Sequence, residues 1–274
     1  MDGMLTAKQA LAVALAREAG ALLLGARNGL TVEEKGQGNW VTNADRQSEE
    51  LIAASLRKAF PEDRVLGEEN GGVALADCRD LNRLWIIDPL DGTSNYVRGF
   101  DHFAVSIAYW DAGLPQVGVV FAPARQELFA AVRGRGAFFN QAPAPARVSD
   151  RRRLADSFVG TGIPYEPDPE GHINLDHIAN ILPRLHSFRC LGASALDLAY
   201  VALGRLDGFW EYGLAPWDVA AGTLLVREAG GRVTGFRGEP ADPFAGRIVA
   251  SNGLIHEPLL QMLSLGKTGL AGTG

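Results

Sequence analysis

Cysteine and histidine are scarce in this chain of 274 residues, which contains two cysteines and five histidines. Cys78 and Cys190 are too few for a disulfide framework and lack metal-ligand spacing, so we expect both to be reduced thiols. The histidines show no metal-ligand spacing either, and we interpret them as surface or hydrogen-bonding residues. These scarcities exclude a small disulfide-stapled protein and a cysteine–histidine metal site.

The chain also lacks an excess of positive charge. The 26 lysines and arginines are outnumbered by 32 aspartates and glutamates, which gives a net charge of -6. This balance argues against a nucleic-acid-binding surface. The basic run at residues 151–153 could contact a polyanion, but we interpret it as a solvated loop.

No long hydrophobic run continues without a charge. Residues 11–25 are rich in apolar side chains, but Arg17 interrupts them. Leu11, Leu15 and Leu22 recur at helical spacing, which favours an amphipathic core helix over a signal peptide or a membrane span. We therefore expect a cytoplasmic protein with no membrane partner.

Two motifs that would define other classes of protein are incomplete. Residues 192–196 (GASAL) lack the second glycine of the nucleophile elbow of serine hydrolases. Residues 134–139 (GRGAFF) lack the third glycine of a dinucleotide-binding fingerprint. Neither chemistry is therefore supported.

The hydrophobic content of 47% is sufficient for a substantial core in one large or two medium domains. The pattern predicts an α+β half, residues 1–142, and an α/β half, residues 143–274, with a boundary in the proline-rich stretch 141–145. Four strands of the first half are expected to form an antiparallel meander. The predicted helices include 42–60, 193–203 and 217–228, and the predicted strands are 84–87, 103–110, 116–122, 127–132, 137–140, 157–162, 188–191, 206–211 and 248–251.

The most informative segment is 84–95 (LWIIDPLDGTSN). Its four apolar residues, 84–87, are typical of a strand that is covered on both faces. Pro89 restricts the preceding residue to an extended conformation. Asp88 is therefore expected where this buried strand ends.

A turn follows that strand. Gly92 permits a sharp change of direction, and Thr93 and Ser94 are candidates to cap the next helical turn. The backbone N–H groups of Gly92 and Thr93 would then face an anion, while Asp88 and Asp91 would face cations. This combination predicts a site for a metal-bound phosphate.

Three further acids are candidates for the same site, although they lie far apart in the sequence: Asp45, Glu68 and Asp218. Each also has a purely local interpretation. Asp45 has capping-box spacing with Thr42, and Asp218 stands where a helix begins and could cap it. Glu68 could be an exposed acid beside a glycine turn, as we expect of Glu69.

Three segments, 67–69 (GEE), 88–93 (DPLDGT) and 217–222 (WDVAAG), decide between these interpretations. In order and spacing they are similar to the three signatures of the inositol monophosphatase family of magnesium-dependent, lithium-sensitive sugar phosphatases. The resemblance covers residues 42–231. It implies an α+β / α/β fold, a layered αβαβα sandwich of the sugar phosphatase type, with the active site between the two halves.

The resemblance also implies two or three Mg²⁺ ions. Glu68, Asp88 and the carbonyl group of Leu90 would bind one ion, and Asp88, Asp91 and Asp218 a second. Oxygen ligands of this kind are those that Mg²⁺ takes. A water molecule with a pKa lowered by the metal would be the nucleophile.

The catalytic residues implied by the resemblance are Asp45, Thr93 and Glu68. Thr93, hydrogen-bonded to Asp45, would accept a proton from the attacking water. A third, weaker metal ion would lie beside Glu68 under the loop 35–39, whose glycines suit a mobile cover.

The substrate is a phosphorylated polyol by the same resemblance. Residues 94–100 (SNYVRGF) are close to the inositol-type continuation of the central motif. Glu211 could otherwise be an ordinary exposed acid at a strand end. The residues implied to bind substrate are Asp91, Gly92, Thr93, Gly192, Ala193, Ser194 and Glu211.

We therefore predict a Mg²⁺-dependent phosphomonoesterase that hydrolyses inositol monophosphate or a similar polyol phosphate. A fructose 1,6-bisphosphatase of the same superfamily is an alternative, because such enzymes share these ligands. A regulatory protein that retains the fold and acts through a protein partner is another. The resemblance also implies a homodimer.

Overall fold

The computed structural model describes residues 2–36, 38–69, 78, 82–140, 142–165 and 174–264. Its helices are α1 (Asp2–Ala26), α2 (Asn43–Ala59), α3 (Thr93–Val97), α4 (Leu175–Ile181), α5 (Ser194–Ala202), α6 (Pro216–Glu228) and α7 (His256–Ser264). Its strands are β1 (Val32–Gly36), β2 (Asn39–Thr42), β3 (Arg64–Gly67), β4 (Leu84–Asp91), β5 (Ala104–Asp111), β6 (Leu114–Ala122), β7 (Glu127–Val132), β8 (Ala137–Phe139), β9 (Phe158–Thr161), β10 (Ser187–Arg189), β11 (Gly208–Tyr212), β12 (Arg232–Thr234) and β13 (Arg247–Ser251). The predicted helices α2, α5 and α6 are confirmed.

Two large sheets carry the fold. The first has six strands in the order β3-β4-β5-β6-β7-β8. Only β3 and β4 are parallel in it, so the predicted antiparallel meander is confirmed. The second sheet has five strands in the order β10-β9-β11-β13-β12, in which β9, β10 and β11 are parallel and β13 and β12 antiparallel. β1 and β2 form a separate hairpin.

Alternation along the strands divides the hydrophobic residues into layers. In β4, Trp85 and Ile87 face the core formed with α1 and α2, whereas Leu84 and Ile86 face the core that contains α5 and α6. α5 and α6 also contact the second sheet, and α4 and α7 cover its far side. The expected αβαβα sandwich is therefore confirmed.

The boundary proposed between residues 142 and 143 stays a prediction. Residues on both sides of it share one core, because α5 and α6 pack against the first sheet as well as the second. A site between the two sheets would therefore draw on both halves.

Helix α1 is long and apolar enough to cross a membrane by length and composition alone, with a mean hydropathy of 1.3. The same test is passed by the core helices of soluble proteins. Leu15, Ala19 and Leu23 are buried here between α1, α2 and the first sheet, and Leu11 packs against them. The predicted core helix is confirmed.

Strand β4 is longer than expected, because it does not end at Ile87 but continues to Asp91. Its pairing with β5 shifts register between Asp88 and Asp91. Pro89 lies within this shift and has no N–H group for the ladder. The irregularity interrupts the regular ladder between the two aspartates while the strand remains buried.

Candidate active site

Three carboxylates meet where β4 ends and α6 begins. Oxygen atoms of Asp88, Asp91 and Asp218 all lie within 4.8 Å of one another. They meet because α6 packs across β4 and β5, which brings its first turn over the end of the strand. These are three of the predicted metal ligands, and such a group of oxygen donors could hold a metal ion.

A backbone N–H group orients each of these carboxylates. Asp88 accepts a hydrogen bond from the N–H of Leu90 at 3.0 Å, and Asp91 accepts one from the N–H of Leu196 at 3.2 Å. Asp218 accepts the N–H of Ala215 at 2.7 Å. Asp218 therefore caps α6, as its local interpretation proposed, and lies in the cluster as well.

Glu68 lies at the end of β3, close to the same cluster. Its Oε1 is 3.3 Å from Nζ of Lys35, which reaches over from β1. The ammonium group of Lys35 is also 2.6 Å from Oε1 of Glu69.

The expectation that Glu69 is an exposed acid is wrong, since only 3% of its side chain is exposed. Its N–H donates to Oε2 of Glu49 at 2.7 Å, which holds the residue against α2. Lys35 supplies the opposite charge that an acid needs in such a partly buried position.

Burial raises the pKa of all four acids at the centre of the site. The pKa of Asp88 lies well above its usual value because of burial and then of repulsion by Glu68, Asp91 and Asp218. Burial raises the pKa of Glu68 to about 8, that of Asp91 to about 8 and that of Asp218 to about 7. A divalent cation would relieve this repulsion, so the donor set fits Mg²⁺ in both charge and chemistry.

Asp45 caps α2 and also contacts a predicted site residue, Thr93. Its Oδ2 accepts the N–H of Thr42 at 2.9 Å and completes the capping box of α2. Its Oδ1 accepts the hydroxyl group of Thr93 at 3.0 Å. Burial raises the pKa of Asp45 in spite of these hydrogen bonds, which makes it a better proton acceptor near neutral pH.

The expectation that Thr93 or Ser94 caps helix α3 is wrong. The N-cap residue is Gly92, with φ of 86° and no side-chain cap. The Thr93 hydroxyl group lies instead within hydrogen-bonding distance of Asp45 and of the Leu90 carbonyl oxygen, at 3.0 Å from each. A Cβ at Gly92 would lie 3.0 Å from the carbonyl oxygen of His102, so the position also lacks room for a side chain.

A cavity of about 280 Å³ contains most of the predicted site. Ala193 does not line it, because this residue is buried behind Gly92. Predicted residues that line the cavity are Glu68, Asp88, Leu90, Asp91, Gly92, Thr93, Gly192, Ser194, Glu211 and Asp218. Among the described residues a larger cavity of about 980 Å³ opens elsewhere, near residues 147–151, and includes none of them.

Glu211 is not an ordinary exposed acid, since it is buried and lines the cavity. Its Oε2 accepts the hydroxyl group of Ser194 at 2.6 Å. Burial raises the pKa of Glu211 to about 8, although the Ser194 hydrogen bond acts in the opposite direction. A Cβ at position 162 would overlap the carboxylate, which explains why Gly162 stands there.

Sequence reasoning missed the apolar wall of the cavity. Trp40, Ile163, Tyr165 and Cys190 also line the cavity. The Tyr165 hydroxyl group lies 3.4 Å from that of Ser94. Trp40 belongs to β2, whereas Ile163 and Tyr165 follow β9 and Cys190 follows β10, so no common spacing in the sequence would have assembled them.

A five-layered fold that encloses an all-carboxylate centre of this kind defines the class of metal-dependent phosphatases. The chain belongs to the inositol monophosphatase family, whose model matches residues 5–265. The family and the fold inferred from the three motifs are thereby confirmed.

Similar proteins are found in several bacteria. The chain is 44% identical over 257 residues to the Nus factor SuhB of Pseudomonas aeruginosa, covering 91% of this chain and 93% of that protein. It is also 44% identical over 232 residues to an inositol-1-monophosphatase of Mesorhizobium japonicum, with 85% of each chain covered.

Solved structures agree with the fold. The extragenic suppressor protein suhB from Bartonella henselae matches with a TM-score of 0.85 and 42% identity, over 95% of this chain and 99% of that chain. An IMPase/NADP phosphatase complexed with Mg²⁺ and phosphate matches with a TM-score of 0.83 and 26% identity, over 96% and 97% of the two chains. The chain is therefore a phosphatase by family, and its substrate is a separate question.

Proposed function

We propose that this protein is a Mg²⁺-dependent phosphomonoesterase that acts on inositol monophosphate or a similar polyol phosphate. The observation that carries the proposal is the meeting of Asp88, Asp91 and Asp218 within 4.8 Å, at the edge of a cavity that also contains Glu68 and Glu211. Acids packed this closely repel one another unless cations lie between them. The relative solved with Mg²⁺ and phosphate supports the same chemistry.

We assign one Mg²⁺ to Glu68, Asp88 and the carbonyl group of Leu90, and a second to Asp88, Asp91 and Asp218. When bound, Mg²⁺ supplies a water of lowered pKa and neutralises the charge on the leaving alkoxide. A third cation beside Glu68 would have to displace the ammonium group of Lys35, which is 3.3 Å from that carboxylate. The proposal therefore requires only two ions.

Thr93 and Asp45 are assigned to the attacking water. The Thr93 hydroxyl group would accept a proton from that water while passing its own to Asp45, to which it is hydrogen-bonded. In-line attack on a phosphomonoester depends mainly on positioning and charge stabilisation, so no covalent nucleophile is needed. The first turn of α3 offers N–H groups to the phosphate.

The alcohol is assigned to the part of the cavity that is lined by Glu211 and Ser194. Glu211, Ser194 and Asp91 offer oxygen atoms to substrate hydroxyl groups there, and Gly192 leaves room for a ring. Several such polar groups suit a polyol better than an apolar alcohol. This part of the proposal is what identifies the substrate class.

A panel assay tests the proposal. Purified protein is given inositol 1-phosphate, fructose 1,6-bisphosphate, histidinol phosphate and phosphoadenosine phosphate, with Mg²⁺ and with a chelator. We expect the highest kcat/KM for inositol 1-phosphate, inhibition by Li⁺ and by high Ca²⁺, and no activity in chelator. Full activity in chelator would refute the metal mechanism, and a preference for fructose 1,6-bisphosphate would favour that alternative.

A second candidate function is regulatory. It is favoured by the relatives named Nus factor SuhB, which include the protein of Pseudomonas aeruginosa at 44% identity. The two functions are compatible, since a protein partner would bind outside the cavity. The test is complementation of a strain from which the gene is deleted. If the Asp88→Asn variant lacks phosphatase activity but complements the deletion as well as the wild type does, the regulatory function is the physiological one.

The assembly and location of the protein belong to the proposal as well. We expect a homodimer, which light scattering after size exclusion would detect as twice the chain mass of 29.3 kDa. We expect the protein in the cytoplasm, which cell fractionation tests.

A further inference from the structure

The inner face of α2 carries three buried polar residues, Asp45, Ser48 and Glu49. Their spacing of three and four residues places them on one side of the helix. Their exposed fractions are 1%, 0% and 3%, so each must find its hydrogen-bonding partners inside the protein. Only Asp45 has a role in the proposed mechanism.

Each of the three residues holds a different segment of the site. Asp45 accepts the hydroxyl group of Thr93 at the start of α3. The Ser48 hydroxyl group donates to the carbonyl oxygen of Pro89 at 3.0 Å, inside the irregular part of β4. Glu49 accepts the N–H of Glu69 at 2.7 Å, just after β3. One helix face therefore connects the segments that carry the first-metal ligands Glu68, Asp88 and Leu90.

The hydrogen bond of Glu49 is the shortest of the three. A Cβ at Gly67 would lie between 2.5 and 2.8 Å from the carboxylate atoms of Glu49, so this position has no room for a side chain. The next residue but one, Glu69, donates its N–H to the same carboxylate. The backbone of Glu68 is thus fixed on both sides by Glu49, which has no place in the cavity itself.

We propose that Glu49 is a positioning residue for the first metal: its carboxylate holds the turn 67–69 so that Glu68 presents its carboxylate to Mg²⁺. The inference rests on the proposed function, because it takes Glu68 as a metal ligand. Residues that orient metal ligands in this way typically change metal affinity about 10- to 100-fold when they are replaced. The proposed action of Glu49 is through the hydrogen bond that its carboxylate accepts from the backbone N–H of Glu69, so the acceptor oxygen is the property that the variants test.

The test measures the binding of MgCl₂ alone by isothermal titration calorimetry, with no substrate present. We compare the wild type with Glu49→Ala, which removes the acceptor, and Glu49→Gln, which keeps an acceptor oxygen and the side-chain length. Glu50→Ala is the matched control, because Glu50 is the exposed neighbour on the same helix. We expect Glu49→Ala to weaken Mg²⁺ binding at least tenfold, while Glu49→Gln stays within about threefold of the wild type and Glu50→Ala is unchanged.

Kinetics separate positioning from general damage. In Glu49→Ala the Mg²⁺ concentration for half-maximal activity should rise by the same factor as the dissociation constant, while kcat at saturating Mg²⁺ should recover to within a few-fold of the wild type. A loss of kcat that Mg²⁺ does not restore would overturn the proposal. Equal loss of Mg²⁺ binding in Glu49→Gln and Glu49→Ala would also overturn it, because charge would then be the cause.

Two precautions keep the result decisive. If Glu49→Ala does not fold by circular dichroism, Glu49→Asp replaces it, since a side chain shorter by one methylene withdraws the acceptor from the N–H of Glu69. Unchanged Mg²⁺ binding in the folded variant refutes the role of Glu49. Absence of Mg²⁺ binding in the wild type refutes the proposed function instead, so the two failures are distinguishable.

Discussion

Two clusters of buried charge lie along the same strand, β4, and they differ in how their charge is balanced. At its beginning, Asp63 binds the ammonium group of Lys8, Nε of Arg83 at 3.1 Å and the indole N–H of Trp85 at 2.9 Å. Lys8, with a side chain only 1% exposed, also lies 3.8 Å from the ring centre of Tyr109. This cluster contains both signs of charge, so its charges are balanced by groups of the protein itself.

At the end of β4 the three clustered aspartates carry charge of one sign, and the nearby Lys35 pairs with Glu68 and Glu69 instead. Among the described residues, no lysine or arginine forms an ion pair with Asp88, Asp91 or Asp218. The comparison distinguishes two kinds of cluster. In a structural cluster the protein supplies the counter-ions, whereas in a functional cluster the charge is neutralised only when a ligand binds. Substitutions should therefore damage folding at the first cluster and activity at the second.

The largest effect is expected for Asp88→Asn. This substitution removes charge from the only side chain assigned to both metals, so kcat at saturating Mg²⁺ should fall by roughly three orders of magnitude or more. The melting temperature in chelator should hold or rise, because one repelling charge is gone. Steady-state kinetics and thermal unfolding measure both quantities, and near-normal turnover would contradict the bridging role.

The opposite outcome is expected for Asp63→Asn. Lys8 would lose its buried counter-ion, and breaking a buried pair lowers the free energy of unfolding by about 3 to 5 kcal/mol. Urea unfolding in the presence of chelator measures it. Glu62→Gln is the control, because Glu62 also binds Arg83, at 2.6 Å, but is 74% exposed and should leave stability unchanged. Equal stability of the two variants would show that the first cluster is not structural.

The pH dependence of stability sharpens the comparison further. The raised pKa values of Glu68 and Asp91, about 8, mean that the folded metal-free cluster retains protons that the unfolded chain, with carboxyl pKa values near 4, has already released. Stability in chelator should therefore fall as the pH rises from 6 to 8. For one retained proton the fall is about 2 kcal/mol.

Saturating Mg²⁺ should abolish this pH dependence, because the cation takes the place of the proton. Urea unfolding at pH 6, 7 and 8, with chelator and with Mg²⁺, supplies the comparison. A stability that does not change with pH in chelator would mean that the acids at the end of β4 are not coupled as described.

The smallest effect concerns Glu211, which lies in the cavity and is assigned to no metal. Above pH 8, where a Glu211 carboxyl group with a pKa of about 8 is ionised, Glu211→Gln should leave the Mg²⁺ requirement unchanged and lower kcat/KM for inositol 1-phosphate by about one to two orders of magnitude, which corresponds to a lost charge-assisted hydrogen bond of roughly 1.5 to 3 kcal/mol. Glycerol 2-phosphate, which has fewer hydroxyl groups to bind, should lose less. If both substrates lose equally, Glu211 does not contact the alcohol.

The sequence by itself determined the family and most of the secondary structure, and it named the acids that the structure brings together at the candidate site. Helices α5 and α6 and the strands β5 to β7 follow local periodicity and turn residues, which depend on neighbours along the chain. The hairpin of β1 and β2 was missed because Val32, Glu33 and Glu34 are all exposed, so β1 has no alternating apolar pattern. Helix α7 was not predicted from its short pattern either.

Only the tertiary structure decided which acids are buried and what they bind. Asp45 and Asp218 each cap a helix and also contact or join the acids of the candidate site, because the two oxygens of Asp45 face different neighbours and α6 begins beside β4. Glu69 became buried through Glu49 and Lys35, which lie 20 and 34 residues away. Local sequence sets backbone preference, but burial, charge balance and pKa depend on segments that meet only when the layers pack.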